Sequence, residues 1–145
     1  MLRTKIALAC DHAGYLHKNK TKEYLENKGY TINDYGCFSE ESVDYPDFAH
    51  QLAESIKKEK SDIGIQFCGT GNGINMSANK HSQIRAALCW NPHIAEQARL
   101  HNNANVLTMP ARHLEWNEVK EIIDVFLSSE FEGGRHQRRV NKISI

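Results

Sequence analysis

Asp62-Ile63-Gly64-Ile65-Gln66-Phe67-Cys68-Gly69-Thr70-Gly71-Asn72-Gly73-Ile74 decides the fold. Asp62 to Phe67 is a strand-sized apolar run, and Cys68 to Gly73 closes it with three glycines in five positions before a short helix. The same alternation continues on both sides. Upstream, Ala49, Leu52, Ala53 and Ile56 share one face of a helix that follows the loop Asp44-Tyr45-Pro46. Before that loop, Tyr30 to Tyr35 reads as a strand, preceded by a helix that stops at Lys28-Gly29, where glycine supplies a left-handed end. Lys5 to Cys10 is the first strand, and it ends at Asp11-His12-Ala13-Gly14. Downstream, Ile84 to Cys89 is the fourth strand. Asn91 as N-cap and Pro92 at the first helical position open the next helix. Asn105 to Met109 is the fifth strand, and Val119, Ile122, Ile123, Phe126 and Leu127 mark an amphipathic helix. The tail Glu132-Gly133-Gly134-Arg135-His136-Gln137-Arg138-Arg139 reads as a hinge into a short final helix.

Strands alternating with helices require crossover connections, which put a parallel sheet between two helical layers. The expected fold is one doubly wound, Rossmann-like α/β domain over residues 1–145, five parallel strands in three layers, with 132–145 as a tail. Lys plus Arg and Asp plus Glu each number 18, so no net basic field exists to hold nucleic acid. No apolar stretch is long enough to span a membrane. With no signal-peptide pattern ahead of the first strand, the cytoplasm is the expected compartment. Cys10, Cys37, Cys68 and Cys89 form no C-x-x-C pair, and a disulfide framework is not expected. Cys10 and Cys89 read as strand packing, and Cys37 lies in a loop with no charged partner.

In doubly wound sheets, ligands bind beyond the carboxyl ends of the strands, where strand order reverses. Two unusual loops stand at such ends, Asp11 to Gly14 and Cys68 to Gly73. A flavodoxin-like order, with strand one beside strand three, puts both on one crevice. Glycines let backbone N–H groups turn towards an anion, and a helix N-terminus adds partial positive charge. A phosphate or a developing oxyanion fits Gly69, Thr70, Gly71, Asn72 and Gly73; a plain tight turn is the bland alternative. The glycines do not form the dinucleotide fingerprint, and no Gly-Lys-Ser/Thr makes a nucleotide P-loop. A receiver domain would carry an aspartate where Cys68 stands. A cysteine phosphatase would carry an arginine near Ile74 and Asn75. Cys68 therefore reads as a general base, its thiol expected to be lowered towards neutrality by surrounding amides. His101-Asn102 ends a polar helix, an ordinary capping position taken alone. Arg135 and Arg139 lie at i, i+4 and share a helix face. With Arg112 they can grip a phosphate in the planar manner arginine favours.

Asp11-His12-Ala13-Gly14, Asp44-Tyr45-Pro46, Cys68-Gly-Thr-Gly-Asn-Gly-Ile74, Ala78-Asn79-Lys80, His101-Asn102, Asn105-Val106 and Glu132-Gly-Gly-Arg-His-Gln137 together resemble type B ribose-5-phosphate isomerase, in order along nearly the whole chain. The resemblance implies an aldose–ketose isomerase of the pentose phosphate pathway, without metal or other cofactor. It implies a homodimer or dimer of dimers with active sites shared between subunits. Cys68 would take the proton next to the carbonyl, and the amides of Gly69 to Gly73 would hold the enediolate. Thr70 would relay a proton between the two oxygens. His101, with Asp11, would open the furanose ring. Asn102 and Tyr45 would orient hydroxyls, and His12, Arg112, Arg135 and Arg139 would hold the phosphate. His101, Asn102 and Arg112 are expected to come from across the dimer.

Galactose-6-phosphate isomerase is the nearest alternative, but such subunits tend to lose the His-Asn pair and the Arg-His-Gln tail that this chain keeps. Allose 6-phosphate is a candidate side substrate. A non-catalytic sugar-phosphate-binding module would need the phosphate grip without a reactive Cys68 or His101.

Overall fold

The computed structural model describes residues 4–145. Five strands form one parallel sheet: β1 Lys5–Cys10, β2 Thr31–Asp34, β3 Ile63–Cys68, β4 Ala86–Leu88 and β5 Val106–Pro110. Six helices join and flank them: α1 Tyr15–Asn27, α2 Tyr45–Lys57, α3 Asn72–Ala78, α4 Pro92–Asn102, α5 Trp116–Ser128 and α6 Arg135–Asn141. The expected α/β sandwich is present.

Its strand order is β2-β1-β3-β5-β4. Strand one does lie beside strand three, as the shared crevice required. The outer pair departs from flavodoxin-like order, because β5 takes the interior place and β4 the edge. Their side chains explain this. All five residues of β5 are buried, whereas the three of β4 are only half-buried. A strand apolar on both faces belongs inside a parallel sheet.

Side chains alternate across the sheet, so each strand feeds two cores. Ile6, Leu8, Ile65, Phe67, Leu107 and Met109 pack against Leu25 of α1, Ala95 and Ala98 of α4, and Val119, Ile122 and Phe126 of α5. Ala7, Ala9 and Val106 face the other way, onto Ala49, Leu52 and Ala53 of α2 and Ile74 and Ala78 of α3. Gly64 lets α2 approach closely, since a Cβ there would stand 2.6 Å from Leu52 Cδ2.

Local signals set the helix ends. Asn91 Oδ1 accepts from Ile94 N at 2.9 Å, with Pro92 following as expected. α1 stops at Asn27, and Gly29 turns with φ +95°. Glu115 and Glu118 cap α5 reciprocally. No helix among the described residues is long and apolar enough to cross a membrane.

One charge lies deep in the fold. Lys18 is 1% exposed, and its Nζ donates to both carboxylate oxygens of Asp34, at 3.0 and 2.8 Å. Removing one partner of such a pair strands the other charge away from water. Asp34→Ala is expected to cost about 3–5 kcal/mol in chemical denaturation. A loss below about 1 kcal/mol would show that the Tyr15 and Phe38 rings near Lys18 hold the ammonium by themselves.

Candidate active site

Cys68 is the last residue of β3, one position further into the sheet than the sequence pattern suggested, and it pairs with Pro110 of β5. It is 4% exposed. Backbone N–H groups of Ile74, Gly71 and Gly73 are directed at its sulfur. Gly71 adopts φ +80°, which turns the loop back over β3, and a Cβ there would strike Leu88. A Cβ on Gly73 would strike the Tyr45 ring, so this glycine lets Tyr45 close on the loop. Thr70 is exposed at the rim, and its Oγ1 accepts from Asn72 N at 3.3 Å.

The first loop meets this one. Asp11 N donates to Phe67 O at 3.2 Å, and Asp11 Oδ1 accepts from Ala13 N at 3.0 Å, which holds the carboxylate near Cys68 at the carboxyl end of the sheet. His12 Nδ1 accepts from Val43 N at 3.2 Å, leaving Nε2 to carry the proton of the neutral ring. Arg112 lies against the same loop: its N–H donates to Gly69 O at 3.1 Å, and its guanidinium packs over Gly69. Asp11, His12, Tyr45, Cys68, Gly69, Thr70, Gly71, Asn72, Gly73 and Arg112 therefore gather at the carboxyl end of the sheet. Within one chain, the Arg112 side chain lies over the Cys68 loop of that same chain.

The expected lowering of the Cys68 thiol is also corrected. Burial is the largest influence and raises it above the ordinary thiol value, and the Asp11 carboxylate pushes the same way. The amides of Ile74, Gly71 and Gly73 pull it down without overcoming that. Sequence showed the amides but not the depth of the sulfur. The other strand cysteines are held more firmly as thiols. Burial pushes Cys89 up to about 12, and burial with the neighbouring Cys37 raises Cys10 well above the ordinary thiol value. Cys37 itself is buried, its sulfur 3.8 Å from that of Cys10. Cys68 is therefore expected to react with iodoacetamide before Cys10 and Cys89, faster as pH rises above neutrality, by peptide mass spectrometry. Equal rates for the three would remove any special character from Cys68.

A buried polar chain beneath the loop was not legible in sequence. Gln66 Nε2 donates to Thr108 Oγ1 at 2.9 Å and to Ile74 O at 3.2 Å, and Thr108 Oγ1 donates to Asn75 Oδ1 at 2.7 Å. It ties β3, β5 and α3 together under the amides that face Cys68. Gln66 and Thr108 occupy otherwise apolar strands, and that break in pattern was the available signal.

His101, Asn102 and Arg139 lie elsewhere. α4 leaves the carboxyl end of β4 and runs back along the sheet, about 16 Å for its 11 residues. Its end is tied to the entry ends of the strands: Arg85 Nε donates to Asn103 O at 2.7 Å, and Arg85 N to Asn105 Oδ1 at 2.8 Å. His101, Asn102, His136 and Arg139 line a hollow of about 260 Å³ there. Arg135 stands exposed one turn before Arg139 on α6, as the i, i+4 spacing predicted. Within one chain, His101 and Asp11 occupy opposite ends of the sheet.

Residues 6–143 match the family model described as Ribose/Galactose Isomerase. The structure superposes on a ribose 5-phosphate isomerase of Thermotoga maritima with TM-score 0.96, 49% identity and 98% of each chain covered. A ribose-5-phosphate isomerase B of Mycoplasma genitalium with bound ribulose-5-phosphate gives 0.94 at 42% identity, over 99% of this chain and 95% of that one. A D-erythrulose-4-phosphate isomerase of Pectobacterium atrosepticum is 43% identical over 139 residues, 95% of this chain and 91% of that protein. With the family model spanning nearly every described residue and these likenesses running end to end, the chain belongs to the ribose/galactose isomerase family and is an isomerase.

Proposed function

We propose that the chain interconverts D-ribose 5-phosphate and D-ribulose 5-phosphate through an enediolate, with Cys68 as the base. The observation that carries this is the sulfur of Cys68 facing three backbone N–H groups in a crevice that also holds Asp11. Cys68 takes the C2 proton of the open aldose and returns it to C1. Backbone N–H groups of the Gly69–Gly73 loop bind the charge that develops on the oxygens, where fixed dipoles cost no reorganisation. Thr70 at the rim passes a proton from O2 to O1, and Tyr45 stands across the loop for the sugar hydroxyls.

The other half of the site comes from a second copy. Since α4 carries His101 and Asn102 to the far end of the sheet, a facing subunit must supply them, with Arg135 and Arg139, to complete a phosphate grip begun by His12 and Arg112. Bringing those cations to the crevice opposes the burial that holds Cys68 as a thiol. His101 opens the furanose ring, and Asp11 of the facing chain receives or returns the second proton. Every step uses side chains and amides of this protein, and no metal or other cofactor is assigned. Four free thiols suit a reducing compartment, the cytoplasm.

The second reading is a tetrose phosphate, favoured by the similarity to the D-erythrulose-4-phosphate isomerase of Pectobacterium atrosepticum. Initial rates with ribose 5-phosphate, D-erythrulose 4-phosphate, allose 6-phosphate and galactose 6-phosphate, all with EDTA, separate these. The highest kcat/KM is expected for the pentose, unaffected by EDTA. Turnover of another sugar phosphate alone would keep the mechanism and change the substrate. Silence on all four would favour a binding module, and loss of rate in EDTA would refute the metal-independent mechanism.

A further inference from the structure

We infer that Glu132 and His136 are positioning residues for His101, dedicated to opening the sugar ring and separable from proton transfer at Cys68. This rests on the isomerase reading above and assigns work to two residues it leaves idle.

The geometry is specific. Glu132 N donates to Leu100 O at 3.1 Å, which fastens the tail to the last turn of α4 beside His101. Glu132 Oε1 then stands 3.9 Å from His101 Nε2, and Oε2 3.6 Å from His136 Nε2. The His101 and His136 rings stack, with centroids 4.3 Å apart and planes 13° from parallel. His136 is 7% exposed, and its Nε2 has no hydrogen-bond partner among the described residues, so it faces the shared carboxylate. Gly133 and Gly134, with φ +70° and +57°, make the turn that brings His136 back over His101. A side chain would be strained at either position.

His101, Glu132 and His136 bring one ligand atom each to within 4.8 Å of one another, yet the stacking of the two rings suits mutual orientation better than convergence on an ion. Near-parallel rings send their in-plane lone pairs side by side, and these do not converge on one metal. The arrangement suits a histidine held by a carboxylate. A carboxylate on one ring nitrogen sets the tautomer and presents the other nitrogen to a reactant. At 3.9 Å Glu132 stands in ion-pair range of His101 Nε2 without a hydrogen bond to it, and closing on that nitrogen it leaves Nδ1 for the sugar. His136 is a flat wall that fixes the plane of the ring.

With its Nε2–H towards Glu132, His101 acts in ring opening as the imidazolium: the C1–O4 bond breaks with its electron pair going to O4, which accepts the Nδ1 proton. The O1–H pair becomes the second bond of the C1 carbonyl, and the proton lost from O1 returns to His101 Nδ1 by way of Asp11 of the facing chain. Ribulose 5-phosphate needs none of this, because its C5 oxygen carries the phosphate and no furanose can close.

That difference supplies the test. Glu132→Gln and His136→Ala are assayed on the whole protein for conversion of ribose 5-phosphate, and separately for deuterium uptake at C1 of ribulose 5-phosphate in D2O by NMR. Conversion is expected to fall about 10- to 100-fold, the usual effect of losing an orienting partner, while deuterium uptake stays within about twofold. His136→Phe, which keeps a flat ring, is expected to recover most of what His136→Ala loses. A parallel fall in both assays would make the cluster merely structural and overturn the inference. No fall in either would overturn it equally. If the parent protein neither converts nor exchanges, the isomerase reading itself fails, an outcome distinct from both.

Discussion

Cys68→Ala is expected to lower turnover of ribose 5-phosphate by about 10³- to 10⁴-fold, the upper range of what a positioned base contributes. Binding should stay within a few-fold of the parent. The residue is nearly enclosed, so the substitution removes one sulfur atom and leaves the three amides aimed at the same spot. The fold should tolerate it at roughly 1 kcal/mol, the scale of a small buried deletion. Initial rates and calorimetric titration with ribose 5-phosphate test the two halves. Retained turnover would move the base elsewhere, with Asp11 the next carboxylate at the crevice. Loss of binding together with turnover would show that the sulfur holds the sugar rather than taking its proton.

The second large effect concerns subunits. Cys68→Ala and His101→Ala should each be nearly inactive alone, yet co-expressed with different tags they should recover about one quarter of the parent rate. Half of randomly paired dimers carry one of each chain, and every such dimer holds one site with both residues intact. Isolated mixed dimers should show about half the parent rate. The reason is topological: α4 begins beyond the carboxyl end of β4 and delivers His101 to the opposite end of the sheet. If the mixture stays as inactive as its parents, the two residues do not meet across an interface.

Much of the fold was legible because strands and helices alternate with clear periods. Asn91-Pro92 and Lys28-Gly29 carry their own stereochemical reasons and stand where they were read. Strand order was less legible. It depends on which strand is covered on both faces, and only comparison of Val106–Pro110 with Ala86–Leu88 hints at β5 inside and β4 at the edge. The Cys68 loop was visible because three glycines beside a cysteine have few uses other than bringing amides to a sulfur or an anion. The state of that cysteine was not visible. Whether burial or the amides prevail depends on how deep the sulfur lies, which β3, β5 and Tyr45 decide together.

By itself, the sequence determined the doubly wound fold, the crevice between the first and third strands, and the residue types available for isomerisation. These follow from local stereochemistry and hydrophobic period, which act over a few residues. The tertiary structure decided that Arg112 covers its own Cys68 loop, that Gln66, Thr108 and Asn75 brace it, and that Glu132 and His136 stand beside His101. It also set His101 at the far end of the sheet from Cys68. Those are relations between residues distant in sequence, fixed by the direction of each helix and by what it packs against.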